Sequence, residues 1–342
     1  MKYNFQSVKL KVEKLVGSLL SRPAPIDLPD ELGLHAAAVA VSLPAGCQPP
    51  PGPIGYRLAA GWGETAEEAA TKALLEGVER YSIQYQNNDP PVLSPVHAYG
   101  TESRFVPSTS LLLGHRDAAE VSDDAKLVTS VGSAAGVNVE DAGLRALLEN
   151  FEYAARTAWL ASKPDGIALA IDGSPILCQL RDALDKYGRR MALYAVMPAR
   201  GVVAVMCINC GQDGSGAVVA SASSTDLATA CRHASVEAAM LWRNMMAMAK
   251  QGLVLDTISP TDRQHVVRYL QGWPSAAWPS DEDLRPLGVA AYDLNVPAKP
   301  LDTPPTLAEV AAAADVPCLL FDLTRAEAGV PVARVMMADT DQ

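Results

Sequence analysis

Positive charge is in short supply in this sequence. Its 28 lysines and arginines face 39 aspartates and glutamates, leaving a formal net charge of −11 over 342 residues. That balance excludes a nucleic-acid partner held mainly by phosphate contacts. Residues 1–20 scatter their lysines and contain no uninterrupted apolar run. They form neither a signal peptide nor a membrane span, so a cytoplasmic protein with no membrane partner is expected. Six cysteines, at 47, 178, 207, 210, 231 and 318, do not suggest a disulfide scaffold in a chain this long. Cys207 and Cys210 form a CxxC, but no second pair completes a four-ligand zinc site. The pair also falls in a β-like apolar run, whereas a redox CxxC sits at a helix N-terminus. Buried strand cysteines are the expectation. None of the five histidines (His35, His97, His115, His233 and His265) has metal-ligand spacing with another. A GxxxxGK[ST] phosphate loop occurs nowhere.

What is present is a composition able to build a large core, 49% hydrophobic and 20% charged. Strand-like and helix-like patterns alternate along the chain, which predicts an α/β or mixed α+β class. The periodicity predicts helices over 4–20, from Thr65 to about 86, over 140–160, 175–187, 226–250, 262–271 and 307–314. It predicts strands over 34–43, 56–60, 126–133, 191–197, 202–208, 217–222, 317–324 and 331–336. Pro23, Pro25 and Pro29 interrupt regular structure after the first helix. No linker is long or polar enough to divide the remainder into independent domains.

The chain repeats itself. GWGETAEEAATKALLEGVER, from Gly61 to Arg80, is a glycine turn followed by a helix, with Thr65 as N-cap and Glu67 and Glu68 in the first turn. GVNVEDAGLRALLENFE, from Gly136 to Glu152, matches it position for position. Ala69, Ala73, Leu74, Leu75, Glu76 and Glu79 correspond to Ala142, Ala146, Leu147, Leu148, Glu149 and Glu152. A weaker third copy places Ala230, Ala234 and Glu237 at the same spacing, with Met240 where the second glutamate would stand. Such repeats have to be recognised before the fold can be read.

A carboxylate pair at i,i+3 shares one helix face, and alone it is an ordinary solvated edge. Its repetition changes the reading. If the repeats pack as equivalent units, Glu76, Glu79, Glu149 and Glu152 can converge, and converging acids need a cation between them. Magnesium accepts oxygen ligands and keeps contact with phosphate oxygens. Asp141 lies near its helix N-terminus, with Glu68 as its counterpart, and glycine turns at helix N-termini are a common seat for phosphate. The combination points to a nucleotide triphosphate held by magnesium. Lys72, four residues before Glu76, could supply positive charge to it or pair with Glu76, and Glu76 can also pair with Arg80.

At these residues the chain resembles the YcaO family. That family's first motif runs roughly GKGxxxxxAxxSAxxExxER, and its second roughly AGxxxxEAxxxxLxExxER. DLTRAEAGVPVARV, from Asp322 to Val335, resembles the closing strand pair. The resemblance covers about residues 50–340 and implies a YcaO-like fold with strand–helix repeats around mixed β-sheet. It divides the chain into a helical segment over 1–30 and a YcaO-like domain over 31–342. It also implies an ATP- and Mg2+-dependent enzyme that activates a backbone amide of a ribosomally made peptide, giving azoline or thioamide. Glu76, Glu79, Glu149 and Glu152 would hold magnesium, and Asp141 and Lys72 would join them around the nucleotide. A precursor peptide is the implied substrate, with a peptide-recognition or sulfur-delivery protein, or a second copy of the chain, as partner. The motif lysine is Trp62 here, the motif serine is Lys72, Tyr153 replaces an arginine, and Ala134 and Val137 replace small polar residues.

Those departures leave two other expectations in play: a YcaO-like scaffold in which Trp62 fills the phosphate pocket, and an enzyme transferring sulfur to a small amide. The methionines at 240, 245, 246 and 248 are expected in the core. Ser221–Thr225 is expected as a capping turn more than as a hydroxyl-rich lip to a site. Arg232 and Arg243 flank Glu237, and either could approach a phosphate.

Overall fold

A computed structural model describes residues 5–43, 57–113, 128–162, 166–250, 252, 260–274 and 278–338. In chain order the first elements are helix α1 (Phe5–Glu13), strands β1 (Ala24–Ile26), β2 (His35–Ala40) and β3 (Leu58–Gly63), and helix α2 (Ala66–Ser82). Short strands β4 (Val92–Leu93), β5 (His97–Tyr99), β6 (Val106–Pro107) and β7 (Ser133–Ala135) precede helix α3 (Val139–Ser162). Then come β8 (Ile167–Ala170), α4 (Pro175–Asp185), β9 (Arg189–Ala199), β10 (Val202–Gly211), β11 (Val218–Ser224) and α5 (Leu227–Lys250). The last are α6 (Pro260–Gln271), β12 (Arg285–Pro286), α7 (Leu287–Asp293), α8 (Leu307–Ala314), β13 (Cys318–Asp322) and β14 (Val332–Met337). The class is the mixed α/β one that the alternation predicts.

The chain forms two compact units, and both are assembled from separated segments. The first takes residues 1–27, 34–150 and 306–342; the second takes 28–33 and 151–305. The division falls inside α3, not at a linker, so a search for polar spacers could not find it.

In the first unit, β1, β2 and β3 form an antiparallel sheet against which α2 packs. A second sheet has the order β5-β13-β14-β7, so two strands from near residues 97–135 sandwich a hairpin from the C-terminal part of the chain. Val12, Val39, Ala69, Ala73, Val78, Ile83, Leu111, Phe321 and Val330 are among the side chains of its core. In the second unit the sheet order is β11-β10-β9-β8-β12. All nine residues from Val202 to Cys210 are buried, the profile of a central strand. Cys207 and Cys210 lie there as buried cysteines, and burial pushes both thiols up, away from thiolate chemistry. Cys47 and His115 lie outside the described residues.

Several boundaries differ from the periodicity, each for a local reason. The amphipathic pattern of 4–20 outlasts its helix, because α1 stops at Glu13 and Gly17 adopts φ +90° in a turn closed by its N–H on Leu20 O. Helix α2 ends at Ser82 instead of about 86. Just beyond it, Arg325 donates to the carbonyls of Ser82 (3.2 Å) and Gln84 (2.7 Å) and to Asp89 Oδ2 (2.9 Å). A guanidinium at a helix C-terminus complements the last carbonyls and the dipole. Strand 126–133 becomes Ser133–Ala135 among the described residues.

The approach of β3 to α2 sets the site. A Cβ added at Gly61 would fall 2.2 Å from the Ala73 nitrogen and 2.5 Å from the Ala69 oxygen, both backbone atoms. Only a residue without a side chain lets strand and helix lie this close. Gly61→Ala should therefore lower unfolding free energy by about 1–3 kcal/mol, the usual cost of forced overpacking, read as a lower urea midpoint. An unchanged midpoint would mean that strand and helix separate without penalty.

Candidate functional site

Three strand–turn–helix units share one local design. Helices α2, α3 and α5 begin at Ala66, Val139 and Leu227, so the second and third units repeat the first at fixed offsets. The residue before each helix caps it. Thr65 Oγ1 accepts the Glu68 N–H (3.1 Å), Asn138 Oδ1 the Asp141 N–H (2.8 Å) and Asp226 Oδ1 the Thr229 N–H (2.8 Å). Each cap contributes about 1 kcal/mol. In the first two units an acid then reaches back into the turn: Glu68 Oε2 accepts the Glu64 N–H and Asp141 Oδ2 the Val137 N–H, both at 3.0 Å. One helical turn on, a cation pairs with that acid, Lys72 with Glu68 (2.8 Å) and Arg145 with Asp141 (3.3 Å).

These turns correct one expectation. The amides of Glu64, Glu68, Val137 and Asp141 are already met by the chain's own side chains, so they are not the open phosphate cradle that a glycine turn suggests. Lys72 also differs from its simplest expected pairing. Its Nζ lies on Glu68 and 4.2 Å from the Trp62 ring centroid, a cation–π distance. Glu76 instead pairs with Arg80, at 2.8 Å.

Beyond the cations stand the acids. In the first unit Glu79 is buried, and its pKa is raised well above the ordinary carboxylate range. Desolvation is the first cause, followed by the charges of Glu76 and Glu149; Arg80 and the Ala135 N–H oppose the shift. Glu149 Oε2 accepts the N–H groups of Gly132 (3.0 Å) and Ser133 (3.3 Å). Glu152 belongs to the second unit. Burial raises its pKa, partly offset by Ser221, whose hydroxyl donates at 2.8 Å, by Arg156 and by the Ser223 N–H.

One relation connects these acids. Glu79 takes the N–H of Ala135, and Glu152 takes the N–H of Ser223. Ala135 and Ser223 occupy the same place in the second and third repeats as Trp62 does in the first. In the first and second repeats the second acid is thus eased by an amide on the strand of the next repeat. Ser221 and Ser223 belong to β11 and not to a capping turn, and sequence reasoning did not assign Ser221 to Glu152. The repeat offsets were the signal that could have found both. In the third repeat Glu237 retains the first acid position, while the partly buried Met240 takes the second.

Carboxylate oxygens are the donor type that magnesium selects, and the clustered charge at Glu76, Glu79 and Glu149 is what a divalent cation would relieve. The residues fit the ion in chemistry and charge. Their oxygens are at present turned to protein donors, and among the described residues no group of three or more His, Cys, Asp or Glu is gathered closely enough to hold a metal. Binding would exchange those donors for the ion.

The charged state of Glu79 is a cost to the fold. Its folded pKa is raised, so the native state binds more protons than the unfolded chain and stability falls as pH rises from about 4.3. Glu79→Gln should melt higher than the natural chain at pH 7.5 without divalent cations, the difference shrinking toward pH 4. A constant difference across that range would show that the charge is not what is relieved.

No curated protein sequence matches the chain. Among solved structures, a heterocyclase in complex with substrate and cofactor aligns with TM-score 0.73 at 16% identity, covering 97% of this chain and 51% of that one. The chain therefore spans about half the length of that heterocyclase. YcaO from Methanopyrus kandleri, bound with AMPPCP and Mg2+, aligns with TM-score 0.64 at 18% identity over 97% of this chain and 89% of that one. A chain of the E. coli microcin synthetase McbBCD complex gives TM-score 0.64 at 13% identity, over 92% and 86%. These likenesses establish the fold, that of the YcaO heterocyclases. The family profile for the YcaO cyclodehydratases, ATP- and Mg2+-binding, matches residues 95–340. The chain belongs to the YcaO family, whose profile is described as that of an ATP- and Mg2+-binding cyclodehydratase. Among the described residues, no helix is long and apolar enough to cross a membrane.

Proposed function

We propose that this chain activates a backbone amide of a ribosomally made peptide, with ATP and magnesium, for azoline or thioamide formation. The observation that carries the reading is the buried Glu79, on which the charges of Glu76 and Glu149 bear, from two helices of one repeat design. ATP with magnesium supplies a phosphoryl group that makes the amide oxygen a leaving group, so that a Cys, Ser or Thr side chain or a sulfide can replace it. The chain's part is to place and neutralise charge. Glu76, Glu79 and Glu149 hold magnesium, and Glu152, one turn beyond Glu149 on α3, is the fourth ligand. Asp141 orders the second turn through the Val137 N–H, and Lys72 brings positive charge to the nucleotide.

The partner follows from the substrate. A ribosomal precursor peptide is the molecule acted on, delivered by a peptide-recognition protein or joined by a sulfur-delivery protein, in the cytoplasm. A chain of the McbBCD complex is among the similar structures, and another structure of that complex has pro-MccB17 bound. A homodimer is the proposed assembly of the chain itself.

A thermal melt tests the nucleotide half of this reading. Mg2+ with a non-hydrolysable ATP analogue should raise the melting temperature, and magnesium-free nucleotide should do so far less. Glu76→Ala combined with Glu149→Ala should abolish the shift. A natural chain whose melting temperature is indifferent to every nucleotide with magnesium would sink the proposal.

A further inference from the structure

The five-stranded sheet of the second unit ends in a very short strand. β12 meets β8 only through Arg285↔Leu169 and Pro286↔Ala170. Such an edge is blunted, because it is brief and its proline has no N–H to offer a further strand. Ahead of β12 the chain turns away. Asp283 accepts the N–H (2.9 Å) and the hydroxyl (2.7 Å) of Ser280, in a capping box that fixes a 3-10 turn over Asp281–Asp283. The first part of β8 pairs with β9, through Ile167↔Ala195 and Ala168↔Tyr194. Among the described residues, no strand pairs with Ile167 or Ala168 from the other side.

A cavity of about 460 Å3 lies along that stretch, a size typical of ligand pockets. Gly166, Ile167 and Ala168 line it together with Tyr194, Trp278, Asp283 and Arg285. Its lining belongs wholly to the second unit and includes none of the repeated acids. Both rings are held in place by neighbours. Trp159 lies 5.7 Å from Tyr194 between ring centroids, and the Arg190 guanidinium stands 4.0 Å from the Trp278 centroid. Burial, with the charge of Asp283 adding to it, pushes the Tyr194 hydroxyl up to about 12, so that ring is uncharged at neutral pH. One aspartate and one arginine leave the lining neutral overall, which gives a phosphate or other strong anion no advantage. The uncovered strand edge instead offers main-chain donors and acceptors at the spacing of an extended chain.

We propose that the uncovered edge of β8 binds an extended segment of the peptide substrate as an added strand, with an aromatic side chain of that segment seated against Tyr194 and Trp278. This rests on the peptide half of the function given above and adds a binding site to it. At about 3.3 Å per residue, Gly166, Ile167 and Ala168 present about 10 Å of edge, enough for about three residues of the guest. Main-chain hydrogen bonds hold the segment whatever its sequence, and the two rings select one side chain at one position. Because Trp159 and Arg190 already hold those rings, little ordering is left for binding to impose.

Photo-crosslinking without nucleotide tests the site. The probe is a heptapeptide capped at both ends, with p-benzoylphenylalanine between two runs of three glutamines. It is neutral and carries no Cys, Ser or Thr for the chain to act on. Irradiation with the natural chain should join it to residues 166–168 or 278–285, read by peptide mass mapping. Methylating the probe's backbone nitrogens one at a time should weaken binding about tenfold at alternate residues and leave it unchanged at those between, because every second N–H of a strand faces its neighbour. Trp278→Ala should weaken binding about tenfold through the loss of one ring contact, whereas Tyr194→Phe, which keeps its ring, should bind as the natural chain does. The methylation series uses the natural chain alone, so it decides the question even where Trp278→Ala does not fold. Crosslinks confined to other parts of the chain would overturn this site and leave the peptide reading standing. Crosslinks at the site without alternation along the probe would overturn strand addition. No crosslink anywhere would overturn the site as well, and the proposed function would then rest on the nucleotide melt, which this probe does not touch.

Discussion

The interaction on which the site depends is a buried carboxylate gripping the backbone of the next repeat. Glu79 on the Ala135 N–H and Glu152 on the Ser223 N–H do the same thing in two places. An ionised carboxylate taken from water costs several kcal/mol unless hydrogen bonds and counter-charge compensate it. One amide is a partial compensation, and the charges of Glu76 and Glu149 work against it at Glu79. The arrangement therefore stores a need for positive charge at a fixed place. A fold that sought only stability would put an uncharged side chain there. Retaining the carboxylates fits a protein whose lowest-energy state includes a cation.

The glycine turns serve the same end. Gly61 lets β3 approach α2 to backbone contact, and an added Cβ at Gly136 would fall 2.5 Å from the Ala142 nitrogen. With strand and helix so close, the capping side chains Thr65 and Asn138 reach their amides and the acids Glu68 and Asp141 reach back into the turns. Local chemistry thus fixes the direction in which each helix leaves its strand, and with it the place of the acid pair two to four turns along. That explains why identical spacing in sequence becomes equivalent hydrogen bonding in space.

Much of this was legible without coordinates because it is local. Thr65 reads as a cap from its position before an amphipathic run, and α8 appears at the residues its periodicity predicts, Leu307–Ala314. The acid pairs were legible because they are written twice. What the periodicity could not reveal was non-local: β14 pairs with β7 across nearly two hundred residues, and both compact units interleave segments distant in sequence. The site shows the same split. Ser221 and Ser223 reach Glu152 from a strand whose own pattern signals nothing but burial. Lys72 pairs with Glu68, not Glu76, and lies against Trp62, a ring supplied by another element.

The four-stranded sheet of the first unit has a consequence for how the chain is made. Its inner strands, β13 and β14, are the last strands described, while its outer strands, β5 and β7, leave the ribosome far earlier. For the time it takes to synthesise some two hundred further residues, at about 5–20 per second, β5 and β7 have no ladder partner. The second unit, by contrast, is complete once residue 305 has emerged. Completion of the first unit is consequently a late event, and β5 and β7 wait as unpaired strand edges until β13 and β14 have emerged. Such edges are templates for pairing with other chains. The brevity of both strands, three residues each, keeps that template small during the wait.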